Sequence, residues 1–265
     1  SELLGAIALS LGGPGTTAVF AWPSFAMYPI GTMRSGADPR RVPLDEDFRH
    51  DLDALAAAID ETTTVVYVCN PNNPTGTLVA GHEVEAFCRA VPDDVVVVVD
   101  EAYHEYVTDP RHRTMLPLAL ERPNVVVLRT FSKVYGLAGL RIGYAVGRPE
   151  TLSGLRRPQR PFTVTQLAQV AAAEALRHPE LVAQRAAENA AGRRVLETGL
   201  ADRGFTVADS QANFVFADVG PVADHLNDRL LRKGMIVRPF EGALRISVGT
   251  EIENRRFLMA LDQVL

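Results

Sequence analysis

Residues 130–141 read TFSKVYGLAGLR and follow the apolar run Val125-Val126-Val127-Leu128, with Arg129 between. One lysine, Lys133, stands just past the end of that run. Hydroxyls sit beside it at Thr130 and Ser132, glycines follow, and a fixed cation, Arg141, closes the stretch. An unbroken apolar run of this length is the pattern of a strand buried on both faces. A polar cluster at the carboxyl end of such a strand lies where an open parallel sheet gathers its ligands.

The same grammar recurs on either side. Residues 18–22, 65–69, 95–99 and 142–146 are further short apolar or β-branched runs, and helical patterns occupy 51–59, 82–90 and 113–120. Repeated strand–helix–strand units predict an α/β fold, a mostly parallel sheet sandwiched by helices. Leu11-Gly12-Gly13-Pro14-Gly15 reads as the turn before the first of these strands. The pattern changes after Pro158 and Pro161. Residues 164–199 are rich in strong helix formers, with Pro179 predicted to divide them into two helices. Short strands are expected at 205–207, 214–216, 235–238 and 244–248, with helices at 222–233 and 251–265. The expected organisation is a large domain over 1–157 and a smaller C-terminal α+β domain over 158–265. No repeat or low-complexity segment interrupts it.

Composition narrows the function. The chain has 265 residues, 47% of them hydrophobic, enough for a sizeable core in one large or two modest domains. A net charge of −5 argues against an electrostatic partner such as nucleic acid or an anionic membrane. Arg156, Arg157 and Arg160 read as a solvated loop. Two cysteines, Cys69 and Cys88, without a CxxC, give no disulfide framework and point to a cytoplasmic protein. No apolar stretch reaches the roughly 18 residues of a membrane span, and no signal peptide is visible. Ser1-Glu2-Leu3-Leu4 opens directly on a helical pattern, so further residues are expected before Ser1.

Three predicted strands end in polar groups on one rim: Asn70-Pro71-Asn72-Asn73-Pro74-Thr75-Gly76, then Asp100-Glu101-Ala102-Tyr103, then Phe131-Ser132-Lys133. Each has a plain alternative reading. The first is a turn sequence, Asp100 a helix cap, and Lys133 a surface amine. Their order and spacing together carry more than any one alone.

Taken with Leu137-Ala138-Gly139-Leu140-Arg141-Ile142-Gly143, Pro161-Phe162-Thr163-Val164 and Leu244-Arg245-Ile246-Ser247-Val248-Gly249-Thr250, these motifs resemble the fold-type-I pyridoxal-phosphate aminotransferases. The likeness is to the histidinol-phosphate aminotransferase branch, with its related aromatic amino acid aminotransferases, and it spans essentially the whole chain. The resemblance implies pyridoxal 5'-phosphate as cofactor, bonded covalently to Lys133, whose neutral form desolvation and nearby positive charge would favour. It places Arg141, Thr130 and Ser132 at the cofactor phosphate, with Ser1 and Glu2 at a helix start that offers backbone N–H groups to the same anion. It sets Asp100 against the pyridine nitrogen, keeping it protonated, and Asn73 and Tyr103 at the phenolic oxygen. Phe25 falls where the family has an aromatic over the ring, often tyrosine. Arg245 matches the arginine that takes the substrate's anionic group, and Arg238 a second one. The plain alternative for Arg238 is an ordinary surface charge at a strand end, and a short loop is expected between it and Arg245.

The family gives proton transfer to the lysine, which leaves His104 without an acid–base part, and Cys69 reads as a buried, unreactive thiol. The implied reaction is transamination of histidinol phosphate or an aromatic amino acid with 2-oxoglutarate and glutamate, in a homodimer, without a metal. A decarboxylase or oxidase would share the ring-binding motifs, and a non-catalytic fragment would bind no cofactor. A nicotinamide-dependent oxidoreductase is disfavoured, because no strand is followed by GxGxxG.

Overall fold

The computed structural model describes residues 2–265. Its larger sheet holds β1 (Thr17–Trp22), β2 (Asp38–Pro43), β3 (Thr63–Cys69), β4 (Val96–Asp100), β5 (Val125–Thr130) and β6 (Gly143–Val146), in the order β2-β1-β3-β4-β5-β6. Every neighbouring pair is parallel except β5 with β6. The fold is thus the α/β class expected. Alternation along the strands divides the core. Val66, Val68, Val97, Val99, Val125 and Val127 face α3 (Leu52–Ala57), α4 (Gly81–Ala90) and α5 (Leu116–Glu121). Val65, Tyr67, Cys69, Val98, Val126 and Leu128 face α1 (Glu2–Leu11), α2 (Met27–Ser35) and α6 (Pro149–Leu155). Burial on both sides explains why these strands read as solid apolar runs. Each fully buried valine contributes about 1.5–3 kcal/mol of transfer free energy.

Two further helices follow. Thr165 caps α7 (Gln166–Ala175), its side chain accepting from the Ala168 N–H, and Pro179 opens α8 (Pro179–Ala201) as its first residue. A proline is tolerated there because that N–H has no helical partner. The smaller sheet has the order β7-β8-β10-β9, built from β7 (Thr206–Val207), β8 (Phe214–Asp218), β9 (Arg238–Phe240) and β10 (Ala243–Ser247), all antiparallel. Leu196 and Leu200 of α8, Leu226 and Leu230 of α9 (Ala223–Arg232), and Phe257 and Leu261 of α10 (Glu251–Asp262) pack on it. Among the described residues no helix is long and apolar enough to cross a membrane.

The structure departs from expectation in several places, among them the helix α6, which was not expected. β2, with the sequence DPRRVP, is largely solvent-facing and carries the charges and prolines typical of an edge strand, so it shows no apolar run. α2 contains Pro29 and Gly31 and shows no helical signal either. The third strand of the small sheet runs over Arg238–Phe240 rather than 235–238, because Ile236 points into solvent at 86% exposure. Arg238 therefore begins a strand, and the supposed loop to Arg245 is a hairpin whose turn is Glu241 and Gly242. Finally, α5 starts at Leu116 rather than 113.

The two sheets meet where the loop after β3 touches the segment before β8. The Gln211 N–H donates to the Gly76 carbonyl at 2.7 Å, and the Gln211 side-chain oxygen accepts from the Thr108 N–H at 2.9 Å. Phe48 meets Phe216 edge-on with centroids 5.7 Å apart. Gly76 has φ +76°, and a Cβ there would lie 2.0 Å from Ser210 Oγ. Gly76→Ala should therefore destabilise the fold by about 2–4 kcal/mol, combining the left-handed backbone penalty with overpacking. Urea unfolding measures it. An unchanged midpoint would show that this approach is not tight.

Candidate active site

The carboxyl ends of β3, β4 and β5 bring the predicted groups to one rim. Asp100, the last residue of β4, is buried. Its Oδ2 accepts from the Tyr28 hydroxyl at 3.0 Å and its Oδ1 from the Ala102 N–H at 3.2 Å. Burial raises the Asp100 pKa, while the Tyr28 and Ala102 hydrogen bonds and the charge of Lys133 pull it down. Two donors leave carboxylate lone pairs free for a further one.

Lys133 follows β5. Its Nζ lies 5.0 Å from the centre of the Tyr103 ring. Burial lowers its pKa below the usual lysine value, helped by Arg245 and then Arg141, against the opposing pull of Asp100. A lowered pKa favours the free amine, the form that acts as nucleophile and base. Tyr103 is itself buried, edge-on to Phe214 at 5.2 Å, and desolvation raises its hydroxyl pKa far above the ordinary value.

The small sheet contributes from the other side. The Arg245 guanidinium stacks over Phe214 at 5.0 Å, and Nη1 donates to Asn73 Oδ1. Its buried Nε has no hydrogen-bond partner among the described residues. Arg238 is paired directly with Arg245 across the β9–β10 hairpin. Directly opposed residues of an antiparallel pair share a face, and like charges there repel. Burial, followed by Arg238, accordingly lowers the Arg245 pKa. An orphaned guanidinium N–H and two opposed cations together favour an anion.

Thr130 Oγ1 accepts from the Ser132 N–H at 3.1 Å, forming a tight turn ahead of Lys133. Arg141 is exposed, sits at φ 53° after a short 3₁₀ turn, and donates to the Ala138 carbonyl at 2.7 Å. Glu2 opens α1 and lines a cavity of about 610 Å³ with residues of α2 and the 158–163 segment. Ser1 lies outside the described residues. Phe25 is half-buried, edge-on to Tyr28 at 5.8 Å.

Two residues carry more than their sequence signal suggested. Tyr28 is 1% exposed and stacks on Tyr67 at 4.7 Å, which aims its hydroxyl at Asp100. It lies three residues after Phe25, one helical turn, and only that spacing hinted at it. Asn72 joins two strand ends. It accepts from Ser24 at 2.8 Å and donates to the Pro23 carbonyl at 3.1 Å and to Thr75 Oγ1 at 2.9 Å. Phe25 and Asn73 are thereby held next to fixed neighbours. His104 instead bonds to His112, Nδ1 to Nε2 at 2.6 Å, on the far side of Tyr103's loop. Desolvation raises the buried Cys69 thiol pKa well above its usual value.

Comparison with known proteins agrees with this geometry. The family model "Aminotransferase class I and II" matches residues 1–261. A histidinol-phosphate aminotransferase of Brevibacillus brevis is 42% identical over 269 residues, all of this chain and 74% of that protein. An aromatic amino acid aminotransferase of Streptomyces avermitilis is 44% identical over 252 residues, 95% of this chain and 70% of that one. The solved histidinol-phosphate aminotransferase of Sinorhizobium meliloti, in complex with pyridoxal-5'-phosphate, superposes with a TM-score of 0.93 at 30% identity, covering 99% of this chain and 73% of that one. With nearly the whole of this chain matched by that family model, the chain belongs to the class I and II aminotransferases.

Proposed function

We propose that the chain uses pyridoxal 5'-phosphate to move an amino group from histidinol phosphate to 2-oxoglutarate. The donor set fits the cofactor: an amine, a buried carboxylate with free lone pairs, a phenol and an amide, with hydroxyls and a guanidinium beyond them. Lys133 would hold it covalently, Asp100 would face its ring nitrogen, and Asn73 and Tyr103 its phenolic oxygen. Phe25 would cover the ring. Thr130, Ser132, Arg141 and the start of α1 would take its phosphate. Bound there, the cofactor supplies an electron sink for the substrate α-carbon.

The chain's own residues do the rest. Tyr28 and the Ala102 N–H hold Asp100 in place, and the Tyr28 hydrogen bond favours its charged form against burial. Lys133 Nζ, its pKa lowered by burial and by Arg245, moves the proton at the α-carbon. Arg245 orients the substrate anion, and the hydrogen bond from Arg245 to Asn73 ties that orientation to the large sheet.

The observation that carries the substrate is the opposed Arg238–Arg245 pair, two cations on one face where a dianionic phosphate would neutralise both. The relatives named for aromatic amino acids keep a second reading open, in which Arg238 stays at the solvent edge, as its exposure allows. We take residues 1–157 as the cofactor unit and 158–265 as the substrate-orienting unit. A homodimer in the cytoplasm is the assembly proposed. A fully exposed Phe162 beside the 610 Å³ cavity and two buried free thiols support it.

Borohydride reduction of the cofactor-loaded protein, followed by peptide mapping, should place the label on Lys133, and a label on another lysine rejects the assignment. Capture of free pyridoxal 5'-phosphate by the apoprotein should speed up as pH rises through a Lys133 midpoint below 10.5. Arg245 lowers that midpoint, so Arg245→Ala should shift it upward; stopped-flow absorbance follows it. In steady-state kinetics Arg245→Ala should weaken every donor and 2-oxoglutarate by roughly a hundredfold in kcat/KM. Arg238→Ala should cost histidinol phosphate about tenfold and phenylalanine much less. Equal losses for both donors would favour the aromatic reading.

A further inference from the structure

Behind the proposed cofactor site lies a buried ion pair that no step above uses. Glu101 is 1% exposed and Arg129 is 7% exposed. Glu101 Oε2 accepts from Arg129 Nε at 2.8 Å and from the Thr114 hydroxyl at 2.8 Å, and Arg129 Nη2 lies 2.7 Å away in ion-pair contact. Oε1 receives the Met115 N–H at 2.7 Å. Arg129 Nη2 also donates to Thr114 Oγ1 at 3.0 Å, and Nη1 lies 3.5 Å from Glu105. The carboxylate therefore has three hydrogen-bond donors and a second guanidinium nitrogen in ion-pair contact, the kind of pairing a buried charge requires.

Position makes this pair more than a core contact. Glu101 directly follows Asp100, and Arg129 directly precedes Thr130. Alternation sends neighbours to opposite faces of a sheet. Arg129 continues the face of Val125 and Val127, and Glu101 that of Val97 and Val99. Asp100 and Thr130 continue the opposite face, that of Val98, Val126 and Leu128. The same two strand ends thus present cofactor-directed groups on one side and an ion pair on the other. Glu101 also closes a loop. It binds both the Thr114 hydroxyl and the Met115 N–H, so the excursion from Glu101 to Thr114, which carries Tyr103, begins and ends on one carboxylate. The His104–His112 bond lies within that excursion.

We propose that Glu101 and Arg129 are positioning residues for the cofactor. By locking β4, β5 and the 101–115 loop together, they fix Asp100 and Tyr103 at the ring end relative to Thr130, Ser132 and Lys133 at the other. Neither residue touches the reacting atoms. The proposal rests on the cofactor reading given above. It has a kinetic signature. Arg245 and Arg238 stand on the other sheet, so loosening the pair degrades cofactor affinity and kcat while leaving the KM for the amino donor in place.

The test uses the full chain, loaded with pyridoxal 5'-phosphate. Cofactor affinity is measured by absorbance titration, with kcat, KM and thermal midpoint alongside. Glu101→Gln should lower affinity and kcat at least tenfold each with donor KM within about twofold. Thr114→Val, which removes only the shared hydroxyl, should show the same pattern several-fold weaker and guards against a Glu101→Gln chain that fails to fold. The double variant Glu101→Met/Arg129→Leu replaces the pair by apolar bulk and should recover thermal midpoint without recovering affinity or kcat, since buried pairs exchange for apolar packing at little cost in stability. Recovery of all three in the double variant, or a loss of thermal midpoint alone in Thr114→Val, would overturn the proposal. Failure of the unaltered protein to take up the cofactor would instead reject the cofactor reading.

Discussion

A parallel sheet sends the carboxyl ends of all its strands to one rim, and most of this molecule is arranged around that constraint. The strands from β3 to β5 are apolar along their length because both faces are covered, so polar side chains are confined to where each strand stops. Asn73, Asp100 and Lys133 then meet without any of them being near another in sequence. Their shared environment follows from the same geometry. The rim is dry enough to press Lys133 toward its neutral form and Asp100 toward its protonated one, and a particular hydrogen bond from Tyr28 counters the second effect. Burial thus favours the free form of the amine and opposes the charged form of the carboxylate.

Charge on the other sheet is arranged in the opposite sense. Opposed arginines such as Arg238 and Arg245 would ordinarily weaken a hairpin. The two-residue turn at Glu241 and Gly242 enforces the pairing, with Gly242 at φ 70°. The cost is electrostatic and falls when an anion binds.

How much of this could be read beforehand depended on what each residue's signal rests on. Strands buried on both faces announce themselves as apolar runs, and the polar groups that follow them inherit that clarity; hence Lys133, Asp100 and Asn73 were legible. β2 was not, because an edge strand is written in charges and prolines. The hairpin was misplaced because Met235, Ile236 and Val237 look like a strand while Ile236 faces solvent. Tyr28 was silent because its role depends on a three-dimensional approach to Asp100 across 72 residues, and Glu101 and Arg129 looked like two ordinary charges until 28 residues of chain were folded between them.

The separation of contacts along the chain also orders events in time. The large sheet is stitched mostly between neighbours in sequence, and the Glu101–Arg129 bond closes a loop of only 28 residues. The Arg245–Asn73 bond closes one of 172. By the logarithmic scaling of chain closure, that longer loop costs about 1.6 kcal/mol more in entropy. Contacts of that span form late in folding, after local ones have reduced the freedom of the chain. The rim of the large sheet is therefore the early part of this arrangement, and Arg245 arrives last, so that a chain still completing its small sheet already carries Asp100, Tyr103 and Lys133 on neighbouring strand ends.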